Sequence, residues 1–289
     1  MTSQPLIRKP AVAGRFYPDD PSELEALVRA CLSKAPAESP TGDPAAKPEA
    51  LGLMLPHAGY IFSGAVAGLT LGQVAPPQKA ILLGPSHTGR GTALSVWPGG
   101  AWRTPLGDVP VDESLCAELT AAGMFGPDTR SHLADHALEV MLPLLQVYSP
   151  GISIVPVTVS EYNLENLHRA AQILAGITAR HRAAGENVCL LASSDMNHFL
   201  PHAENMRKDA LALDRLRDFD PDGLFRTVAE NGISMCGFAA VTLMLLSCRE
   251  MGASECRITA HTSSGVTGRP FGADMQRVVG YAGAIVPAP

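Results

Sequence analysis

The sequence has no cluster of Lys and Arg, no apolar run long enough to cross a membrane, and no paired-cysteine spacing. Each absence removes a class of function. Acidic side chains outnumber basic ones, 28 to 22, giving a formal charge of −6 over 289 residues. With no block of positive charge to neutralise phosphates, nucleic acid is not expected as a partner. The opening MTSQPLIRKP lacks the apolar core of a signal peptide. The most apolar stretch, Gly237 to Ser247, falls well short of the roughly 20 residues that a membrane span requires, so a cytoplasmic protein with no membrane partner is expected. Six cysteines, Cys31, Cys116, Cys189, Cys236, Cys248 and Cys256, are scattered without CxxC spacing, and read as reduced thiols rather than a disulfide framework. No GxGxxG follows the first strong strand and no GxSxG elbow is present, which weakens a dinucleotide site and a serine hydrolase. Ser193 and Ser194 with His198 still leave a hydrolase open on spacing alone.

What is there is a core-forming composition, 46% apolar and 17% charged, and one repeated grammar. Leu51 to Leu55 is a short apolar run with the length of a buried strand, closed by Pro56 and followed at once by His57. Gly59 and Gly64 loosen the backbone before a helix expected over 65–74. Lys79 to Leu83 is a second such strand, followed by Gly84, Pro85, Ser86 and His87. Val188 to Ala192 is a third, followed by Ser193, Ser194, Asp195 and then His198. Three strands each ending near a histidine bring those histidines to one edge of a parallel sheet, where α/β proteins place their chemistry.

Taken in order, Asp20 reads as an N-cap, with Pro21 at the first helical position and Glu23 in the first turn. Leu24, Leu27, Val28, Cys31 and Leu32 form that helix's apolar stripe. Pro36, Pro40, Pro44 and Pro48 punctuate a surface loop over 36–49. Thr92 to Trp97 is a strand candidate, and Pro98 to Val109 a hairpin expected over the site. Asp112 caps a helix to Ala122. Ser131 to Tyr148 reads as helical, with His136 and Glu139 three apart on one face, either as part of a helix start carrying favourable carboxylates or as a pair pointed into the cleft. A strand over 152–159, a long helix over 163–184 carrying His168 and His181 on a solvated face, helices over 203–219 and 221–231, and strands over 257–263 and 278–286 complete the chain. Cys236 stands at the N-terminus of an apolar helix from Phe238 to about Cys248, a position that favours a thiolate, the alternative being a small buried hydrophobe. The alternation predicts a single α/β domain, 1–289, with a mostly parallel or mixed central sheet flanked by helices.

His57, His87 and Cys236 are borderline-soft ligands suited to iron, copper or zinc, and poorly suited to calcium or magnesium. Three protein ligands leave coordination positions open, as in a reactive rather than a structural centre. His198 is the candidate general acid or base, with Asp195 either orienting it or capping the turn.

PHAGYIFSG at Pro56 to Gly64, LGPSH at Leu83 to His87, WRTPLGDVPVD at Trp102 to Asp112, SSDMNHF at Ser193 to Phe199 and MCGF at Met235 to Phe238 together resemble the Memo family, whose prokaryotic members are often called AmmeMemoRadiSam system protein B. The opening RKPAVAGRFYP fits as well, and the resemblance covers nearly the whole chain. It implies a fold similar to class III extradiol dioxygenases, which use non-haem Fe(II). It also implies metal positions at His57, His87 and Cys236, with Asp195 and His198 beside them. Cys236 stands where those dioxygenases carry a carboxylate, and this softer ligand brings copper forward and sets ring cleavage back. The family's acidic–His–Ser–x–Glu pattern reads Asp135, His136, Ala137, Leu138, Glu139 here, without the serine. The family name implies a functional association with an AMMECR1-type protein and a radical-SAM enzyme. The animal member is linked to cell motility and phosphopeptide binding, but this sequence has no Arg cluster of the kind phosphotyrosine recognition needs. The expected function is a metal-dependent oxidoreductase acting on an unknown small-molecule or protein substrate. The alternative is a non-catalytic protein- or peptide-binding module using the inherited cleft, and metal-assisted hydrolysis on zinc is a third reading.

Overall fold

Four short apolar runs, each too brief for a helix and bounded by Gly, Pro or Ser, pair side by side and set the architecture. A computed structural model describes residues 6–34 and 47–289. Its strands in chain order are β1 (Ile7–Arg8), β2 (Ala50–Leu55), β3 (Lys79–Gly84), β4 (Leu94–Val96), β5 (Ala101–Thr104), β6 (Gly107–Pro110), β7 (Gly126–Pro127), β8 (Ser153–Val159), β9 (Val188–Ser193), β10 (His198–Leu200), β11 (Arg257–Ser263) and β12 (Val278–Pro287). The helices are α1 (Pro21–Leu32), α2 (Tyr60–Leu71), α3 (Glu113–Ala121), α4 (Leu142–Tyr148), α5 (Leu164–Ala183), α6 (His202–Arg217), α7 (Pro221–Glu230), α8 (Phe238–Glu250) and α9 (Ser264–Thr267).

The main sheet runs β10-β12-β2-β9-β3-β8-β4-β7, with β11 paired to β12. Its centre, β2, β9, β3 and β8, is parallel, while β12 and β4 flank it antiparallel. The sheet is therefore mixed, and the domain is α/β as expected. Every residue of β2 and β9 is buried, which is why these strands are continuously apolar rather than alternating. Helix α8 lies on β2, β9 and β3 under α5, and α2 packs on β2, β11 and β12 with α1 and α4 against it. Among the described residues no helix is long and apolar enough to cross a membrane.

The caps at Asp20, Asp112 and Asn163 form as their residue types dictate, each side chain accepting from backbone N–H groups in the first turn. Three expectations are corrected. Helix α2 begins at Tyr60, five residues before the expected 65, because Gly64 is a contact glycine and not a loosener, as is Gly68 one turn on. A Cβ at Gly68 would lie 2.4 Å from the Cys31 carbonyl, and one at Gly64 would lie 2.8 Å from Cys31 Sγ, so both exist to let α1 and α2 touch. The stretch from Ser131 is a turn until a short 3-10 segment, Glu139–Met141, leads into α4, so His136 and Glu139 do not share a helix face. The hairpin of β5 and β6 forms but does not cover the strand ends that carry the histidines. It joins β1 in a separate three-stranded sheet, and Val111 just beyond it bridges Ile154 near the start of β8. Most of the proline-rich loop, 35–46, lies outside the described residues.

Candidate metal centre

The parallel strands all end at one edge, so the residues just past β2, β3 and β9 converge there. His57 is buried, 2% exposed. Its ring centroid lies 5.3 Å from that of His87 and 5.5 Å from that of His136, and His87 and His136 stack at 4.7 Å. Cys236 reaches the same point from the turn that leads into α8, with Sγ 3.4 Å from His57 Nε2. This approach depends on Gly237, where a Cβ would sit 2.2 Å from the Ser193 carbonyl oxygen, so only glycine lets the start of α8 meet the end of β9. Ligand atoms of His57, His87 and Cys236 all lie within 4.8 Å of one another. A second group, His87, Asp135 and His136, meets the same distance, but both Asp135 oxygens already accept hydrogen bonds.

The hydrogen bonds assign a tautomer to three of the imidazoles, those of His57, His87 and His198. Ser193 Oγ donates to the Ala137 carbonyl at 2.6 Å. Its one proton is thereby used, so His57 Nδ1, 2.8 Å away, donates to it and Nε2 carries the lone pair facing Cys236. His87 Nδ1 donates to Asp135 Oδ1 at 3.1 Å, and His198 Nδ1 to the Ser234 carbonyl at 2.8 Å. All three rings thus hold Nδ1–H in a fixed acceptor and leave Nε2 basic, which is how ligating histidines are oriented.

Burial, reinforced by the charges of His87 and His136, holds His57 well below the usual histidine range, so its ring is neutral near pH 7. Burial acts on His87 in the same sense, but the hydrogen bond and charge of Asp135 outweigh it and raise the ring's pKa. Asp135 is itself held at about 2 despite burial, by the same hydrogen bond and charge. Burial lifts Asp195 to about 7. Cys236 was expected to be lowered by its helix terminus. Instead burial, followed by the neighbouring Asp195 charge, pushes the thiol up, so a cation is needed to make it a thiolate.

The expected site residues fall as follows. His57, His87 and Cys236 meet. His198 stands beside them, close enough for its charge to act on His57 and that of His87 to act on it. Asp195 accepts from the His57 backbone N–H at 2.9 Å and makes no hydrogen bond to His198 among the described residues, so it supports the loop that carries His57. His136 is in the cluster, with Phe16 edge-on at 4.7 Å. Glu139 is fully buried elsewhere, paired with Arg8 and bonded to Tyr17 and the backbone of Ala11 and Val12. His168 and His181 are not merely solvated, since His168 bonds Asp222 and His181 bonds Glu118 and Glu186. Neither Ser193 nor Ser194 bonds His198, and Ser194 caps Gly237 N–H, so no serine nucleophile is set up. Ser193, Asp135 and Ser234 as acceptors for the rings, and Phe16 as a ring wall, were not singled out in the sequence. The one signal was that Ser193 and Asp135 lie inside the motifs that carry the histidines.

A Memo-like protein family profile matches residues 8–285. The chain belongs to the Memo family. It is 36% identical to the MEMO1 family protein of Ignicoccus hospitalis, over 98% of this chain and 100% of that protein. It is 36% identical to the MEMO1 family protein of Thermotoga neapolitana, over 97% and 100%, and 37% identical to that of Aeropyrum pernix, over 95% and 98%. Within this Memo protein Ala137 links two of the site's supports through its backbone: its N–H donates to Asp135 Oδ1 and its carbonyl accepts from Ser193.

Proposed function

We propose that this Memo-family protein is a metal-dependent oxidoreductase in which His57, His87 and Cys236 hold one redox metal. Fe(II) is the metal assigned, with copper as the redox alternative; zinc, which has no redox chemistry, would point instead to metal-assisted hydrolysis. The observation that carries the reading is the His57 ring, locked by Ser193 so that its Nε2 lone pair faces Cys236 Sγ at 3.4 Å. In the metal-free chain the Cys236 thiol donates to this nitrogen; a metal would displace that proton and take up both atoms, the thiolate and the imidazole lone pair, as ligands. Imidazole and thiolate donors suit iron, copper or zinc and exclude a calcium-like centre. When bound, iron or copper supplies the Lewis acidity and one-electron chemistry that side chains lack, and zinc the Lewis acidity alone.

The chain's own residues supply the rest. His198 Nε2 is the proton acceptor: its Nδ1–H is fixed on the Ser234 carbonyl, and burial lowers its pKa, so the ring is neutral and basic near pH 7. Asn197 holds this arrangement, its side-chain oxygen accepting from Ser234 N–H at 3.0 Å. Asp195 and Asp135 are positioning residues for His57 and His87. Titration with Co(II) tests the assignment. A thiolate-to-metal charge-transfer band at one equivalent is expected, absent in Cys236→Ala. A Co(II) spectrum unchanged by that substitution would refute the ligand set.

A further inference from the structure

Two non-glycine residues have positive φ among those described, Phe199 at 64° and Phe219 at 50°. A bulky aromatic residue in the left-handed region is a genuine outlier and costs free energy. Phe219 has a structural reason: it ends α6, where a left-handed residue closes a helix, and its ring packs on the core. Phe199 has none. Its ring is 60% exposed and stabilises no interior.

The backbone shows how the strain is held. β10 pairs antiparallel with β12 through His198 opposite Val279 and Leu200 opposite Val278, with the register slipping between them. Phe199 is the extra residue of a β-bulge, the device that re-aims a side chain beside a site. The bulge is clamped on its N-terminal side, since His198 N–H donates to Ser234 Oγ at 2.8 Å and Asn197 N–H to Asp209 Oδ1 at 2.8 Å. The result places the Phe199 ring 5.5 Å from His198, edge to face, with the Arg277 guanidinium 5.4 Å from its centroid. Arg277 is exposed and has no side-chain carboxylate partner among the described residues.

We infer that Phe199 and Arg277 form a binding shelf beside His198 for a planar, π-bearing organic anion. The ring offers a stacking surface, and the guanidinium offers a charge with a fixed plane that a carboxylate can meet. This identifies a substrate class for the cleft described above and rests on that reading of the cleft.

The test uses the full chain and benzoate as probe, with cyclohexanecarboxylate (same charge, no π face) and benzamide (same ring, no charge) as controls, read by calorimetry or ligand-detected NMR. Benzoate is expected to bind more tightly than either control. Phe199→Gly and Phe199→Leu should each weaken benzoate about 5-fold with little change for cyclohexanecarboxylate, the size of one aromatic pair. Arg277→Gln should weaken benzoate and leave benzamide unchanged. Phe199→Gly relieves the positive φ, so its melting temperature should equal or exceed that of the wild type. No benzoate binding at millimolar concentration, affinity unchanged by all three substitutions, or a marked loss of stability in Phe199→Gly would overturn the shelf. Metal content is measured on the same samples. Protein that never takes up metal but binds benzoate through these residues refutes the metal reading alone, whereas fully loaded protein indifferent to the substitutions refutes the shelf alone.

Discussion

Glu139 is the residue whose removal should cost the fold most. Its carboxylate is fully buried and accepts four hydrogen bonds: from Arg8 Nη1 at 2.7 Å, Tyr17 Oη at 2.6 Å, Ala11 N at 2.8 Å and Val12 N at 3.0 Å. Arg8 is equally buried and also donates to the carbonyls of His132 and Asp135. Truncation in Glu139→Ala strands a buried guanidinium, a phenol and two backbone N–H groups. Breaking such a pair costs about 3–5 kcal/mol, and stranded donors add to it, so a loss of about 5 kcal/mol is expected, equivalent to a melting temperature lower by about 10 °C or more. Urea unfolding at pH 7, followed by circular dichroism, should show the midpoint fall with the slope unchanged. Glu139→Gln, which keeps an acceptor oxygen, should lose less. Glu139→Leu combined with Arg8→Met should recover part of the loss, because no charge is then left unpaired. A cost below about 1 kcal/mol for Glu139→Ala would refute the view that this carboxylate ties the N-terminal segment to the turn carrying Asp135.

Burial holds His132 at about 4, against the Ser95 carbonyl bond that acts to raise it, so this ring stays neutral in the fold while it protonates in the unfolded chain. Its contribution is complete above about pH 6.5 and is lost as pH falls towards 4, by up to about 3 kcal/mol; stability measured across that window should fall more steeply in the wild type than in His132→Gln. Ser193→Ala leaves His57 Nδ1–H without its acceptor and should lower metal affinity by about 10- to 100-fold in a protein that still unfolds cooperatively, measured by competition with a chromophoric chelator. Gly68→Ala drives a methyl into the Cys31 carbonyl 2.4 Å away and should cost about 1–3 kcal/mol or more in thermal unfolding, with secondary structure retained.

The strand ends and their histidines were legible because buried parallel strands are continuous apolar runs, and their boundaries are marked by Pro and Gly. Caps at Asp20 and Asp112 were legible because capping is local, whereas Asn163 was placed inside its helix and proves to be the cap. What set the geometry of the site was not local. Arg8 and Glu139 are 131 residues apart, and His57 and its acceptor Ser193 are 136 apart, so no spacing rule links them. His136 and Glu139 sat at helical spacing, yet the chain turns between them and sends one to the cleft and the other to Arg8. Gly64 looked like a breaker because a contact glycine and a flexible one read alike until the partner helix is in place. A phenylalanine at positive φ has no sequence signature, since that residue type ordinarily avoids the region.

The central claim, one metal held by His57, His87 and Cys236, is tested most directly by elemental analysis of protein purified without air or chelators. Wild type, His57→Ala and Cys236→Ala are compared, each verified as folded by its unfolding transition. The account predicts close to one equivalent of iron or copper per wild-type chain and a loss of that metal in both variants. Metal retained at the wild-type level in either variant, or a wild-type chain that carries none and takes up neither Fe(II), Cu(I) nor Zn(II) on titration, would contradict it.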